Sequence, residues 1–293
     1  MDALFDFQLT AQLLTYDFAR NAVIAGAVLG VVAGVLGPLV VTRKMSFAVH
    51  GTSELALTGA AGALLLGVGV GYGALAGAIV AALLLGLMGQ RDAERDSVIG
   101  AILAFGLGLG VLLLWIYPGR AANKFGLLTG QIVGVGSTDL WLLVGCGVAV
   151  LVVLAGIYRP LLFASVDTDV AVARGVPTRL LSVVFCLLIG VTTALSVQIV
   201  GALLVLALMI TPAAAAIRVT SSPLRATVLS VVFAEVAAVG GIVLSLAPGV
   251  PVSAFVTGIS FLIYVTCRLI GRSRLARAGG RASAVEPVPA ATG

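Results

Sequence analysis

The chain has 293 residues; 60% are hydrophobic, 10% are charged, and the net charge is +5. That apolar fraction exceeds what a soluble globular domain buries, and the abundance of Gly, Ala, Val and Leu fits an all-α, polytopic membrane protein whose helices pack through small residues. The basic residues fall in short loops and a tail rather than on one face, so the charge reads as membrane topology and excludes a nucleic-acid-binding domain.

The length fits one membrane domain. Residues 1–20 carry Asp2, Asp6 and Asp17 without a basic start or a small-residue cleavage site, so no signal peptide is expected. Leu4, Phe5, Phe7, Leu9, Leu13, Leu14 and Phe18 predict a helix lying in the membrane interface there. Apolar runs long enough to span a bilayer follow at 21–42, 52–70, 72–89, 97–117, 139–158, 179–199, 201–217, 225–246 and 251–271. The run 201–217 is short and ends at Thr211-Pro212, which predicts a broken or re-entrant helix. Eight or nine spans are therefore expected within one transmembrane domain over 21–271.

Lys and Arg set the orientation. Arg43, Lys44, Arg91, Arg95, Arg159, Arg174, Arg218 and Arg225 lie in the loops 43–51, 90–96, 159–178 and 218–225. Arg268, Arg272, Arg274, Arg277 and Arg281 lie at the end of the chain, whereas the opposite side holds only Arg20, Arg120 and Lys124. The N-terminus is expected outside and the C-terminus in the cytoplasm of a cell-membrane protein, with 272–293 a disordered basic tail. Loop 118–138 is the longest on the outer side, either a partner contact or a simple connection. Cys146, Cys186 and Cys267 sit in apolar segments with no CxxC pair and read as small core residues.

Three stretches carry chemistry. In Ser46-Phe47-Ala48-Val49-His50-Gly51-Thr52-Ser53-Glu54, the only histidine stands four residues before a carboxylate. Residues i and i+4 share a helix face. Ionisable groups in a span mark ion or substrate paths, and mixed nitrogen and oxygen donors suit zinc and similar divalent metals. An interfacial, hydrogen-bonded histidine is the alternative for His50. Glu54, followed by Leu55-Ala56-Leu57, must be paired, protonated or solvated.

In the second stretch, Asp167 or Thr168 can cap a short helix that Ala171 and Ala173 extend, Gly175 ends and Pro177 stops. Such a knob suits docking into a partner's cleft, or is an ordinary helical loop. In the third, Val200 to Ala216, Gly201 permits a close backbone approach and Thr211-Pro212 frees carbonyls. Gln198, just before it, is polar at depth. Glu235, in Phe233-Ala234-Glu235-Val236-Ala237, is the other acid inside a span; both are candidate pathway residues.

Read together, Gly37-Pro38-Leu39-Val40-Val41-Thr42-Arg43-Lys44-Met45-Ser46-Phe47, Asp96-Ser97-Val98-Ile99-Gly100, Asp167 to Gly175, and Val200 to Ala216 resemble the membrane subunit of ABC-type zinc and manganese importers. The resemblance runs from about Arg20 to Gly271. It implies a permease fold, no enzymatic activity of its own, and transport of a divalent metal, zinc first, then manganese or iron. The metal is cargo, and no permanently bound cofactor is implied. It also implies a homodimer in membrane lipid, an ATP-binding subunit on the cytoplasmic side, and an extracytoplasmic metal-binding protein. Asp167, Asp169, Ala171, Ala173 and Gly175 match its coupling helix.

The family usually carries an aspartate after the Met and a histidine four residues later. Here His50 and Glu54 occupy those positions, so the imidazole and carboxylate have exchanged places and the metal's identity is open. The alternative is that Glu54 serves as a gate or proton acceptor. No GxxxxGK[ST] motif is present, so the chain does not bind ATP in the P-loop manner. HExxH and GxSxG are absent too. A proton- or sodium-coupled secondary transporter titrating Glu54 and Glu235 is the rival from another class.

Overall fold

A computed structural model describes residues 7–88, 92–119, 126–127, 136–199, 201–202, 205–247 and 250–282, without the side chains of 92–95, 198–199 and 272–282. The described residues are overwhelmingly helical. A short helix α1 (Phe7–Leu13) precedes α2 (Asp17–Thr42), α3 (Ser46–Leu66), α4 (Val70–Met88), α5 (Asp92–Ile116) and α6 (Ser137–Val166). Then follow α7 (Thr168–Ala173), α8 (Thr178–Ile199), α9 (Val205–Met209), α10 (Thr211–Val219), α11 (Pro223–Leu246) and α12 (Val252–Ala282).

Seven of these helices are long and apolar enough to cross a membrane: α2, α4, α5, α6, α8, α11 and α12. Helix α3 has 21 residues, about 31 Å of rise, and packs among them against α4, α5 and α8. His50, Thr52, Ser53, Glu54 and Thr58 lower its hydropathy and set it apart from the seven. The run 201–217, expected to be broken, is divided between α9 and α10 at Ile210. Pro212 has no N–H, so the Leu208 carbonyl loses the donor a continuous helix would supply.

Small residues set the packing. Gly26, Gly30 and Gly34 line one face of α2 and receive Ile242, Glu235 and Val231 of α11. A β-carbon at Gly34 would stand 2.5 Å from the Val231 Cα, so the two backbones are in contact there. Gly59 of α3 meets the backbone of Gly73 on α4, and Gly77 meets the Leu55 carbonyl. Without a hydrophobic driving force between helices in lipid, such close backbone approach is what holds a bundle together.

Three boundaries differ from the sequence reading. The loop expected at 159–178 is helical through Val166, with Pro160 inside α6. Prolines are tolerated within membrane helices because neighbouring groups and local adjustment absorb the lost hydrogen bond. Helix α3 begins at Ser46 rather than 52, which places His50 and Glu54 inside its first turns. The backbone of α12 runs to Ala282, past the apolar span that ends at Gly271. Cys186 and Cys267 are buried, Cys146 is half-buried, and none of the three is in a disulfide. The interfacial reading of residues 1–6, most of loop 118–138, and the side chain of Gln198 lie outside the described residues.

Candidate functional site

Helix α3 carries the candidate site. Its first turns hold two titratable groups on adjoining turns of one face. Glu54 is 2% exposed and His50 half-buried. The Glu54 Oε2 and the His50 Nδ1 are both buried, and neither has a hydrogen-bond partner. The two side chains lie within electrostatic reach of each other. A buried polar atom without a protein partner is costly, so both atoms are open to water, a proton or a metal ion.

The walls around the pair are built from backbone and hydroxyls. Gly106 of α5 lies against Glu54: a β-carbon at 106 would stand 3.1 Å from the Glu54 Cβ and 3.1 Å from the Leu55 nitrogen. The Thr58 hydroxyl lies 2.7 Å from the Gly106 carbonyl and 2.9 Å from the Glu54 carbonyl, tying α3 to α5 one turn beyond the acid. Ser53 donates to the His50 carbonyl at 2.7 Å. No third His, Cys, Asp or Glu among the described residues joins the pair. One copy of the chain thus offers two donors, fewer than the closed four-ligand cage of a structural zinc site.

Glu235 stands elsewhere. Its carboxylate lies over Gly30 in the α2–α11 seam, where a β-carbon at 30 would be 2.5 Å from Oε1. That oxygen is buried without a hydrogen-bond partner. The backbone of Gln198 is in the last turn of α8.

The short helix α7 has the local chemistry its sequence implies. Asp167 is the N-cap and accepts a hydrogen bond from the Val170 N–H at 3.0 Å. Asp169 lies in the first turn, Ala171 is buried and Ala173 ends the helix. Gly175 follows at φ 78°, a left-handed conformation that costs glycine nothing. Val170 and Val172 are exposed, so the knob presents an apolar edge.

The model of the ABC 3 transport family matches residues 15–271. The chain belongs to the ABC 3 transport family. Its relatives there include the manganese transport system membrane protein MntC of Halalkalibacterium halodurans, 31% identical over 235 residues, 80% of each chain. The manganese import system permease protein ScaB of Streptococcus parasanguinis is 32% identical over 205 residues, 70% of this chain and 73% of that one. Among solved structures, PsaBC from Streptococcus pneumoniae in complex with Fab superposes with a TM-score of 0.79 at 27% identity, covering 89% of this chain and 94% of that chain. This ABC 3 family member is therefore a multi-pass membrane protein with a permease-type helical fold.

Of the positions singled out from sequence, His50 and Glu54 come together, whereas Glu235 occupies a different seam. Sequence reasoning missed Gly106 and Thr58. Gly106 and Gly110 stand four apart on α5, a small-xxx-small pattern that marks a contact face, and both lie against α3.

Proposed function

We propose that this chain is the membrane permease of an ATP-driven importer of a divalent metal ion, with His50 and Glu54 as its transient ligands. The buried, unpartnered Nδ1 and Oε2 of that pair carry the reading. Two donors hold an ion weakly enough to let it leave, as conduction requires. Two copies related by a two-fold axis would form the transport path, each with its own His50–Glu54 pair.

The relatives named for manganese transport favour manganese as cargo, ahead of zinc and iron. Carboxylate oxygen with imidazole nitrogen suits manganese as well as zinc. The chain has no P-loop motif, so a separate ATPase would supply hydrolysis and dock on α7 through Asp167, Asp169, Ala171, Ala173 and Gly175. A metal-binding protein would deliver the ion on the opposite side. The excess of Arg and Lys at the α7 end supports a cytoplasmic location for that end and for the C-terminus. Gln198 and Glu235 are secondary candidates for the pathway.

The test is uptake into vesicles that contain this chain, its ATPase and its delivery protein, with manganese and zinc offered in competition. ATP-dependent accumulation of manganese over zinc is expected. Accumulation that ignores ATP and follows an imposed proton gradient would replace this reading with a secondary transporter.

A further inference from the structure

A second polar site lies at the α7 end of the bundle, away from Glu54. A cavity of about 360 Å³ opens there, lined by Thr42, Arg43, Lys44, Asp96, Ser165 and Thr168, with Ala164 at its wall. These residues come from the end of α2, the start of α5, the end of α6 and the start of α7. Where the ends of membrane-crossing helices meet, the depth is that of the lipid headgroups.

The charges and hydroxyls of this cavity divide into two sets. Arg43 and Lys44 are cations. The Arg43 guanidinium carbon stands 5.3 Å from the centre of the buried Phe185 ring, which holds the side chain in place. The other set accepts. Asp96 is an acid, and each hydroxyl donates its proton to a backbone carbonyl, that of Thr168 reaching back to α6. Thr42 donates to the Pro38 carbonyl at 2.6 Å, Ser165 to Leu161 at 2.6 Å and Thr168 to Ala164 at 3.1 Å. Their oxygens therefore offer lone pairs to the cavity. A simple anion would meet these acceptors unfavourably, and a simple cation would meet Arg43 and Lys44. A ligand with both a phosphate and a primary ammonium satisfies both sets.

The backbone at Lys44 supplies an independent observation. Lys44 N–H bonds to the Val41 carbonyl at 3.1 Å and Met45 N–H to the Val40 carbonyl at 2.9 Å. This is the Schellman arrangement, whose left-handed position is usually glycine. Lys44 occupies it at φ 56°, alone among the described non-glycine residues in having positive φ. Strain of this kind persists where a side chain is needed. Here the side chain kept at that cost lines the cavity.

We propose that this cavity seats the headgroup of a phospholipid bearing a phosphate and a primary ammonium, of the phosphatidylethanolamine class. The phosphate sits on Arg43 and Lys44, and the ammonium on Asp96 with the Thr42, Ser165 and Thr168 oxygens. The acyl chains lie along the bundle in the leaflet at the α7 end.

Native mass spectrometry of the purified full chain, incubated with equimolar phosphatidylethanolamine and phosphatidylglycerol, tests this. The wild type is expected to retain the ethanolamine lipid preferentially. Lys44→Gly relieves the backbone strain and leaves thermal stability at or above wild type. It should nonetheless lower that retention at least about fivefold, as befits loss of a charge-assisted contact. Asp96→Asn should abolish the preference while leaving phosphatidylglycerol retention intact. Soluble phosphoethanolamine should compete weakly, for want of acyl chains. Equal retention of both lipids by the wild type would overturn the proposal, as would unchanged retention in both variants or full displacement by soluble phosphoethanolamine. Variants that keep the lipid but fail to hold an ATPase subunit would assign the cavity to a protein partner instead.

Discussion

Gly106 on α5 lies directly against Glu54 on α3, where a β-carbon would fit only if its neighbours gave way by a few tenths of an ångström. The added β-carbon would stand 3.1 Å from two Glu54 atoms, and one turn away Thr58 links the same two helices through a 2.7 Å hydrogen bond to the Gly106 carbonyl. The acid is thus fixed by backbone contacts rather than by a side-chain partner. That leaves its carboxylate available.

Enlarging residue 106 tests this relationship. Gly106→Ala is expected to destabilise the chain by about 1–3 kcal/mol, the usual cost of overpacking. Gly106→Val should cost more, and both should slow transport by displacing Glu54. Thermal unfolding in detergent together with metal uptake is the check. A Val variant with wild-type stability and uptake would show that α5 does not position the acid.

The Asp167 cap gives a second prediction. Asp167→Ala removes the bond to the Val170 N–H and is expected to cost about 1 kcal/mol of local helix stability. Asp167→Asn keeps a capping oxygen and should restore it. If α7 transmits ATPase movement, the Ala variant should show reduced uptake per ATP hydrolysed, with Asn near wild type. Equal coupling ratios in both would show that the cap has no part in transmission.

The Glu235–Gly30 contact gives a third. Gly30→Ala forces the carboxylate off its seat, since the new β-carbon would meet Oε1 at 2.5 Å and the Glu235 Cα at 3.3 Å. The loss should be about 1–3 kcal/mol. Glu235→Ala should recover part of it, because two residues in contact do not behave additively. A double-mutant cycle on thermal stability measures that coupling, and strictly additive losses would place Glu235 elsewhere.

Features governed by local rules were legible in the sequence. Asp167, the alanines and Gly175 specify α7 through capping and left-handed backbone preferences, and all appear in their expected places. Seven of the nine expected spans followed from apolar run length; 52–70 lies in α3, too polar to count with them, and Thr211-Pro212 marked the α9–α10 break. The boundaries at Ser46 and Val166 were misread because polarity at His50 and the Arg159-Pro160 pair look like loop in water. Inside a packed bundle the backbone stays helical through both. The separation of Glu235 from Glu54 was not legible either. Both acids satisfy the same rule for polar groups in a span, and only packing assigns one to α2 and the other to α5.

The central claim is that Glu54 lies on the path of an ATP-driven metal ion. Its most direct measurement is manganese uptake into vesicles holding this chain, its ATPase and its delivery protein, comparing wild type with Glu54→Gln with and without ATP. Gln keeps the shape and removes the charge, so the complex should assemble. Uptake should fall about ten- to a hundredfold, the worth of one charged interaction of about 1.5–3 kcal/mol. ATP-driven uptake by Glu54→Gln at the wild-type rate would contradict the account.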